Sequence, residues 1–158
     1  MKFPNIVSGG QTGADRGSLD WAIQNGIPHE GWCPKGRRAE DGRIPIRYQL
    51  REAGRLDYPD RTERNIRFAD ATVIFSVSAE MGRGSKLTAW LAQSLEKPWL
   101  HIHRNTQKPG NLLADFIASK RIVRLNVAGS RASAEPSVED LVRQVLDQAL
   151  AILSSRAQ

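Results

Sequence analysis

The chain has 158 residues, of which 40% are hydrophobic and 25% charged; that is enough for one domain with a continuous core, residues 1–158, and it excludes a mainly disordered chain. Lys and Arg total 23 against 17 Asp and Glu, a formal balance of +6 with a pI near 10.0, which favours nucleotides, anionic cofactors or nucleic acid; the basic residues are scattered, as on a solvated surface rather than a nucleic-acid-binding arm. The single Cys33 has no disulfide partner within the chain, Met1-Lys2-Phe3-Pro4 passes straight into a strand, and no apolar run approaches the roughly 18 residues that cross a bilayer, so a cytoplasmic protein without a membrane role is expected.

Ile6-Val7 reads as a strand running into Ser8-Gly9-Gly10-Gln11-Thr12-Gly13-Ala14-Asp15-Arg16-Gly17, and then a helix over residues 18–25 carries Leu19, Ala22 and Ile23 on one face. Gly26 is placed to cap that helix. A strand that enters glycines and then a helix exposes backbone N–H groups where aligned peptide dipoles favour an anion. The alternative is a plain turn. Residues 29–33 read as a short strand ending at Pro34, and the basic, turn-rich residues 35–42 as a mobile or ligand-facing loop. Residues 43–60 show no clean period and contain Pro45, Gly54 and Pro59, which suggests irregular structure packed over the domain, a candidate lid.

A helix is expected from Thr62, its N-cap, with Ile66 and Ala69 one turn apart. Ala71-Thr72-Val73-Ile74-Phe75 is the most strand-like run, and its continuous apolar character suits a parallel strand covered on both faces. It exits through Ser76–Ser85 into a helix bearing Leu87, Trp90, Leu91 and Leu95, then a strand at Trp99-Leu100-His101-Ile102-His103, a helix over residues 112–119 and a strand over residues 123–127. That strand ends in Ala128-Gly129-Ser130-Arg131, and from Pro136-Ser137 a last helix presents Val138, Leu141, Val142, Val145, Ala149 and Leu153 as one stripe. Alternating strands and helices imply a Rossmann-like three-layer α/β sandwich with a mainly parallel sheet and right-handed crossovers. Glycine turns at Gly9, Gly82 and Gly129 all follow strands, so in such a sheet they converge on one edge as a ligand site.

The first loop, the block Gly31-Trp32-Cys33-Pro34-Lys35-Gly36-Arg37-Arg38-Ala39-Glu40-Asp41-Gly42 and the turn Leu125-Asn126-Val127-Ala128-Gly129-Ser130-Arg131 together resemble the molybdenum cofactor carrier proteins. These form a branch of the Rossmann-like superfamily that includes the cytokinin-activating "Lonely guy" hydrolases and the DNA-processing protein of natural transformation. The resemblance runs over nearly the whole chain. It implies a circular permutation, because the relatives place the Gly-Ser-Arg turn first and the Ser-Gly loop later. It also implies a cytoplasmic carrier of molybdenum cofactor (molybdopterin) or another phosphorylated nucleotide-like ligand, a homo-oligomer with a tetramer among the options, and molybdoenzymes or cofactor-synthesis enzymes as partners.

The residues expected to hold the small anionic ligand are Gly9, Gly10, Gln11, Thr12, Gly13, Asp15 and Arg16 on the first loop, and Lys35 and Arg37 on the basic loop. To these are added Ser78, Gly82, Gly84, Ser85 and Thr88 on the second glycine loop, and Gly129 and Arg131 on the third. Backbone N–H groups of Gly10, Thr12 and Gly13 would cradle phosphate, with Gln11 and the Thr12 hydroxyl adding directional bonds. The phosphoribohydrolase relatives carry Gly-Gly-x-Gly-Thr-x-x-Glu, whereas Gly84-Ser85-Lys86-Leu87-Thr88 puts threonine in the place of the glutamate. Threonine is no acid or base near neutral pH, so binding without catalysis is expected, with Glu80 the carboxylate to watch. Nucleotide hydrolysis to base and ribose phosphate is the alternative, and salt-dependent single-stranded nucleic-acid binding a third reading. His29, His101 and His103 lack a third ligand at metal spacing, Cys33 beside Trp32 suits packing over a soft metal, and Trp21, Trp90 and Trp99 read as core, so no protein-bound metal site is expected.

Overall fold

The computed structural model describes residues 1–54 and 58–158. In chain order its elements are β1 (Asn5–Val7), α1 (Ala14–Gln24), β2 (His29–Glu30), β3 (Trp32–Cys33), β4 (Arg38–Ala39), β5 (Gly42–Arg43) and β6 (Arg51–Glu52). They continue as α2 (Tyr58–Phe68), β7 (Ala71–Phe75), α3 (Arg83–Ser94), β8 (Trp99–Ile102), α4 (Pro109–Lys120), β9 (Arg124–Gly129) and α5 (Val138–Arg156).

The central sheet is parallel throughout, with strand order β2-β1-β9-β7-β8. All residues of β7 are buried, as its unbroken apolar run requires of a strand covered on both faces. α1, α5 and α4 pack side by side, and α2 packs against α3, giving a three-layer Rossmann-like α/β fold. The α5 stripe, from Val138 to Leu153, joins Ile6, Val73, Phe75, Leu125 and Val127 in the main core. Trp21 closes that core: its ring lies 5.0 Å from Phe3 and its Nε1 donates to Asp147 at 2.7 Å. The last strand, β9, lies between β1 and β7, so the chain steps outward from the sheet centre in both directions. Ligands of open α/β sheets bind outside the carboxyl ends of strands at such a reversal. No helix among the described residues is long and apolar enough to cross a membrane.

Several local expectations are corrected. The strand expected over residues 29–33 is split at Gly31, whose φ of +137° carries the chain from the central sheet into a small parallel pair of β3 with β6. The basic loop, expected as a mobile or ligand-facing turn-rich segment, carries an antiparallel hairpin, β4 with β5. Residues 44–50 and 53–54 are irregular, but Ile44 and Tyr48 are buried against Leu19 and Cys33, so this part of the candidate lid is packed as a second core; residues 55–57 of that segment lie outside the described residues. α2 starts at Tyr58 rather than after Thr62, with Pro59 in its first turn, where no intrahelical N–H is owed. Trp90 was expected in the core but is 64% exposed, because α3 has nothing packed on that face among the described residues.

Candidate functional site

A cavity of about 630 Å³ opens at the reversal point. Gly9 follows β1, Gly129 to Arg131 follow β9, and Gly82 to Ser85 lead into α3, so the three glycine loops do converge on one wall system. Of the expected residues, Gly9, Gln11, Asp15, Gly82, Gly84, Ser85, Thr88, Gly129 and Arg131 line it. Arg61, Thr62 and Asn65 from α2 and Asn126 from β9 line it as well, and sequence reasoning did not assign them. An asparagine inside the apolar run of a central strand was the available signal for Asn126.

The first loop spends three of its backbone donors on its own side chains and a fourth on the third loop. Gly10 N donates to Ser8 Oγ, Gln11 N to Asp15 Oδ2 at 3.1 Å, Thr12 N to Gln11 Oε1 at 3.0 Å, and Ala14 N to Ser130 O at 3.0 Å. Two of the three N–H groups from which a phosphate cradle was expected, those of Gly10 and Thr12, are thus taken, and no acceptor for the third, Gly13 N, stands among the described residues. The Thr12 hydroxyl donates to Glu40 and accepts from Ala132 N. Glu40 also takes Ser133 N at 3.1 Å and the Ser133 hydroxyl at 2.6 Å, and these donors hold its carboxyl below the usual range. The tip of the β4–β5 hairpin therefore clasps the first loop to the third. Arg16 serves the same clasp, bonding Asp41 through both Nη atoms at 2.5 and 2.8 Å and Gly10 O through Nε at 3.0 Å.

The open donors are on the facing wall. In the first turn of α3 the N–H groups of Arg83, Gly84 and Ser85 have no acceptor among the described residues, since the first intrahelical bond here runs from Lys86 N to Gly82 O. A Cβ at Gly82 or Gly84 would meet nothing within 4 Å. The Thr88 hydroxyl donates back to Gly84 O at 3.1 Å. Glu80 lies outside the lining, its side chain 83% exposed and paired with Lys86.

The carboxylate of the cavity wall is Asp15. Its side chain is 7% exposed and meets Arg61 Nη1 at 3.1 Å. Burial pushes its pKa up, against the pull of Arg61 and of the Gln11 N–H. Gly9 makes this pairing possible, because the Arg61 guanidinium occupies the space a Cβ there would need. Beside it, Gln11 is 6% exposed and its Nε2 has no hydrogen-bond partner among the described residues. Such a buried N–H costs about 1–3 kcal/mol.

Glu135 fastens the second loop to the third. It accepts from Val77 N at 2.9 Å, Ser78 N at 2.8 Å and the Ser130 hydroxyl at 2.5 Å. Burial alone would raise its pKa, but these donors hold it below the usual carboxylate range. Glu135→Ala is expected to cost about 1–3 kcal/mol by orphaning those donors. A carboxyl whose folded pKa is depressed contributes stability above its unfolded value and loses it as pH falls through the folded one. Urea unfolding between pH 3 and 7 checks this: the wild type loses stability below about pH 4.3, and the variant shows a shallower loss.

The remaining expected residues are placed elsewhere. Arg37 is buried and gives its guanidinium to the carbonyls of Ile44, Pro45, Tyr48 and Leu50, so it knits the irregular segment to the hairpin. Lys35 is exposed, Gly10 packs against Ile44 and Leu50, and Gly13 lies against the backbone of residues 130–132. Ser78 caps its own turn by accepting from Glu80 N. His101 bonds Ser76 Oγ at 2.6 Å, His29 accepts from Gln49 N, and Cys33 is buried and free. No three His, Cys, Asp or Glu side chains converge as a metal site among the described residues.

Residues 6–150 match the sequence model described as the circularly permutated YpsA SLOG family. The chain is also similar to a solved structure from Syntrophus aciditrophicus SB, named "Putative molybdenum carrier protein", with 43% identity, a TM-score of 0.85, and coverage of 92% of this chain and 94% of that one. None of the curated proteins matches it.

Proposed function

We propose a carrier function from one premise: the chain belongs to the circularly permutated YpsA SLOG family. The cavity at the strand ends binds a phosphate-bearing, nucleotide-like ligand, with molybdenum cofactor as the first candidate in view of the name of its structural relative. The observation that carries this reading is the pairing of opposed features in one cavity. The first turn of α3 offers three N–H groups unclaimed among the described residues, and the same cavity holds the buried Nε2 of Gln11, which likewise has no partner among them. Exposed Arg83 and Arg131 add positive charge at the lining. Those groups suit the phosphate and the heterocycle of the cofactor, and molybdenum would travel as cargo on the ligand's own donors.

Holding rather than cutting is supported by Thr88, whose hydroxyl is bonded to Gly84 O, and by the position of Glu80 outside the lining. Gly84→Asp tests the site. A carboxylate in the first turn suits the helix dipole, and a Cβ at this position meets nothing within 4 Å, so stability is expected to stay within about 0.5 kcal/mol of wild type. Binding of molybdenum cofactor and of nucleoside monophosphates, read by native mass spectrometry and thermal shift, is expected to fall at least tenfold. Undiminished binding by the variant, or no binding by wild type, would sink the reading.

A further inference from the structure

The cavity has two chemically different ends. Gln11, Asp15 and Asn126 are 6%, 5% and 3% exposed, whereas Arg83, Gly84 and Arg131 are open to solvent. At the buried end the hydrogen-bond roles are already assigned. Gln11 Oε1 accepts from Thr12 N at 3.0 Å and Glu40 N at 2.9 Å, so the amide has one orientation and Nε2 is the end left over. Asp15 Oδ2 accepts from Gln11 N and Arg61 Nη1, both at 3.1 Å, while Oδ1 accepts nothing from the described residues. A committed donor and a carboxyl oxygen with no donor on it among the described residues thus stand on adjoining groups, tied together by the bond from Gln11 N to Asp15. A buried carboxylate repels phosphate, which assigns the phosphate to the α3 end. The rest of the cavity lining includes the apolar side chains of Leu87, Val127, Ala128 and Ala134, which suit the face of a flat ring.

Resting on the phosphate-binding reading above, we propose that Gln11 and Asp15 read the edge of a planar nitrogen heterocycle. Asp15 Oδ1 takes a ring N–H or exocyclic amine, and Gln11 Nε2 donates to the neighbouring oxo group or ring nitrogen. Ligands that lack either half of this edge bind weakly, whatever their phosphate does.

Isothermal titration of the full chain with four monophosphates tests this. Inosine monophosphate and adenosine monophosphate present a donor beside an acceptor, purine riboside monophosphate presents the acceptor alone, and ribose 5-phosphate has no ring. At least one of the first two is expected to bind tenfold or more tightly than the last two. Gln11→Glu keeps the oxygen that serves Thr12 and Glu40 but replaces the donor by an acceptor. It is expected to weaken the ring-bearing ligand at least tenfold and ribose 5-phosphate less than threefold. Four equal affinities, or equal losses in the variant, overturn the edge-reading and leave phosphate binding standing. Binding by none of the four overturns both.

Discussion

Arg61→Met is expected to destabilise the protein by about 3–5 kcal/mol, because it leaves Asp15 as an uncompensated charge in a buried site. For a domain of this length that corresponds to a fall in Tm of roughly 6–20 °C. The two side chains are 14% and 7% exposed, so solvent screens the pair little. Burial already raises the Asp15 pKa, and Arg61 is the largest opposing influence. Without Arg61, only the Gln11 N–H and the charge of Arg16 still oppose burial, and the pKa climbs further. A carboxyl whose folded pKa lies above its unfolded value contributes stability below the unfolded value, about 3.9, and loses it as pH rises through the folded one. The variant is therefore expected to lose stability more steeply than wild type between pH 4 and 8. Adding Asp15→Asn removes the charge, so the double variant recovers part of the loss and its pH slope flattens. Denaturant unfolding of the four proteins across that range gives the coupling. Additive losses, or parallel pH profiles, would show that the pair does not act as a unit.

The sheet, its helices and the convergence of three glycine turns were legible because they rest on strong local signals. β7 is an unbroken apolar run, α5 an unbroken stripe, Gly9 and Gly129 punctuate strand ends, and Gly82 caps the start of α3. What the spacing could not carry was the use to which polar groups are put. Arg16 and Arg37 have the charge to hold an anion, but Asp41 and four carbonyls claim them first, and those partners are 7 to 25 residues away in sequence. The same holds for the first loop, whose glycines suggested a cradle while Ser8, Asp15 and Gln11 supply acceptors within it and Ser130 one from the third loop. Arg61 was missed for the converse reason. It sits one residue before the expected start of its helix, and its importance comes from crossing to Gly9 and to Asp15, the latter 46 residues away. The hairpin clasp through Glu40 depends likewise on Ser133, 93 residues on, a relation that no local pattern encodes.

The closeness of the first and third loops yields the second large effect. Gly13 is the N-cap of α1 at φ +83° and ψ −127°, a region closed to residues with a side chain. A Cβ there would stand 2.7 Å from Ala132 N and 2.8 Å from the carbonyl carbon of Arg131, and would also press on Ser130 O. All three are backbone atoms, so no rotamer change relieves the contact. The two loops must separate, and the bond from Ala14 N to Ser130 O goes with them. Gly13→Ala is thus expected to cost at least about 3 kcal/mol, combining backbone strain with the loss of that contact. Gly26 provides the control. It too has positive φ, +65°, but nothing lies within 4 Å of its missing Cβ, so Gly26→Ala pays only the left-handed conformation, about 1–2 kcal/mol. Thermal unfolding of the two variants separates steric contact from conformational strain. The expected order is a clearly larger fall in Tm for Gly13→Ala, with weaker ligand binding even where it is folded, because the displaced third loop carries Gly129, Ser130 and Arg131 away from α3. Equal falls at the two positions would mean that the loops are not packed backbone to backbone, and that the cavity wall they form is looser than its hydrogen bonds imply.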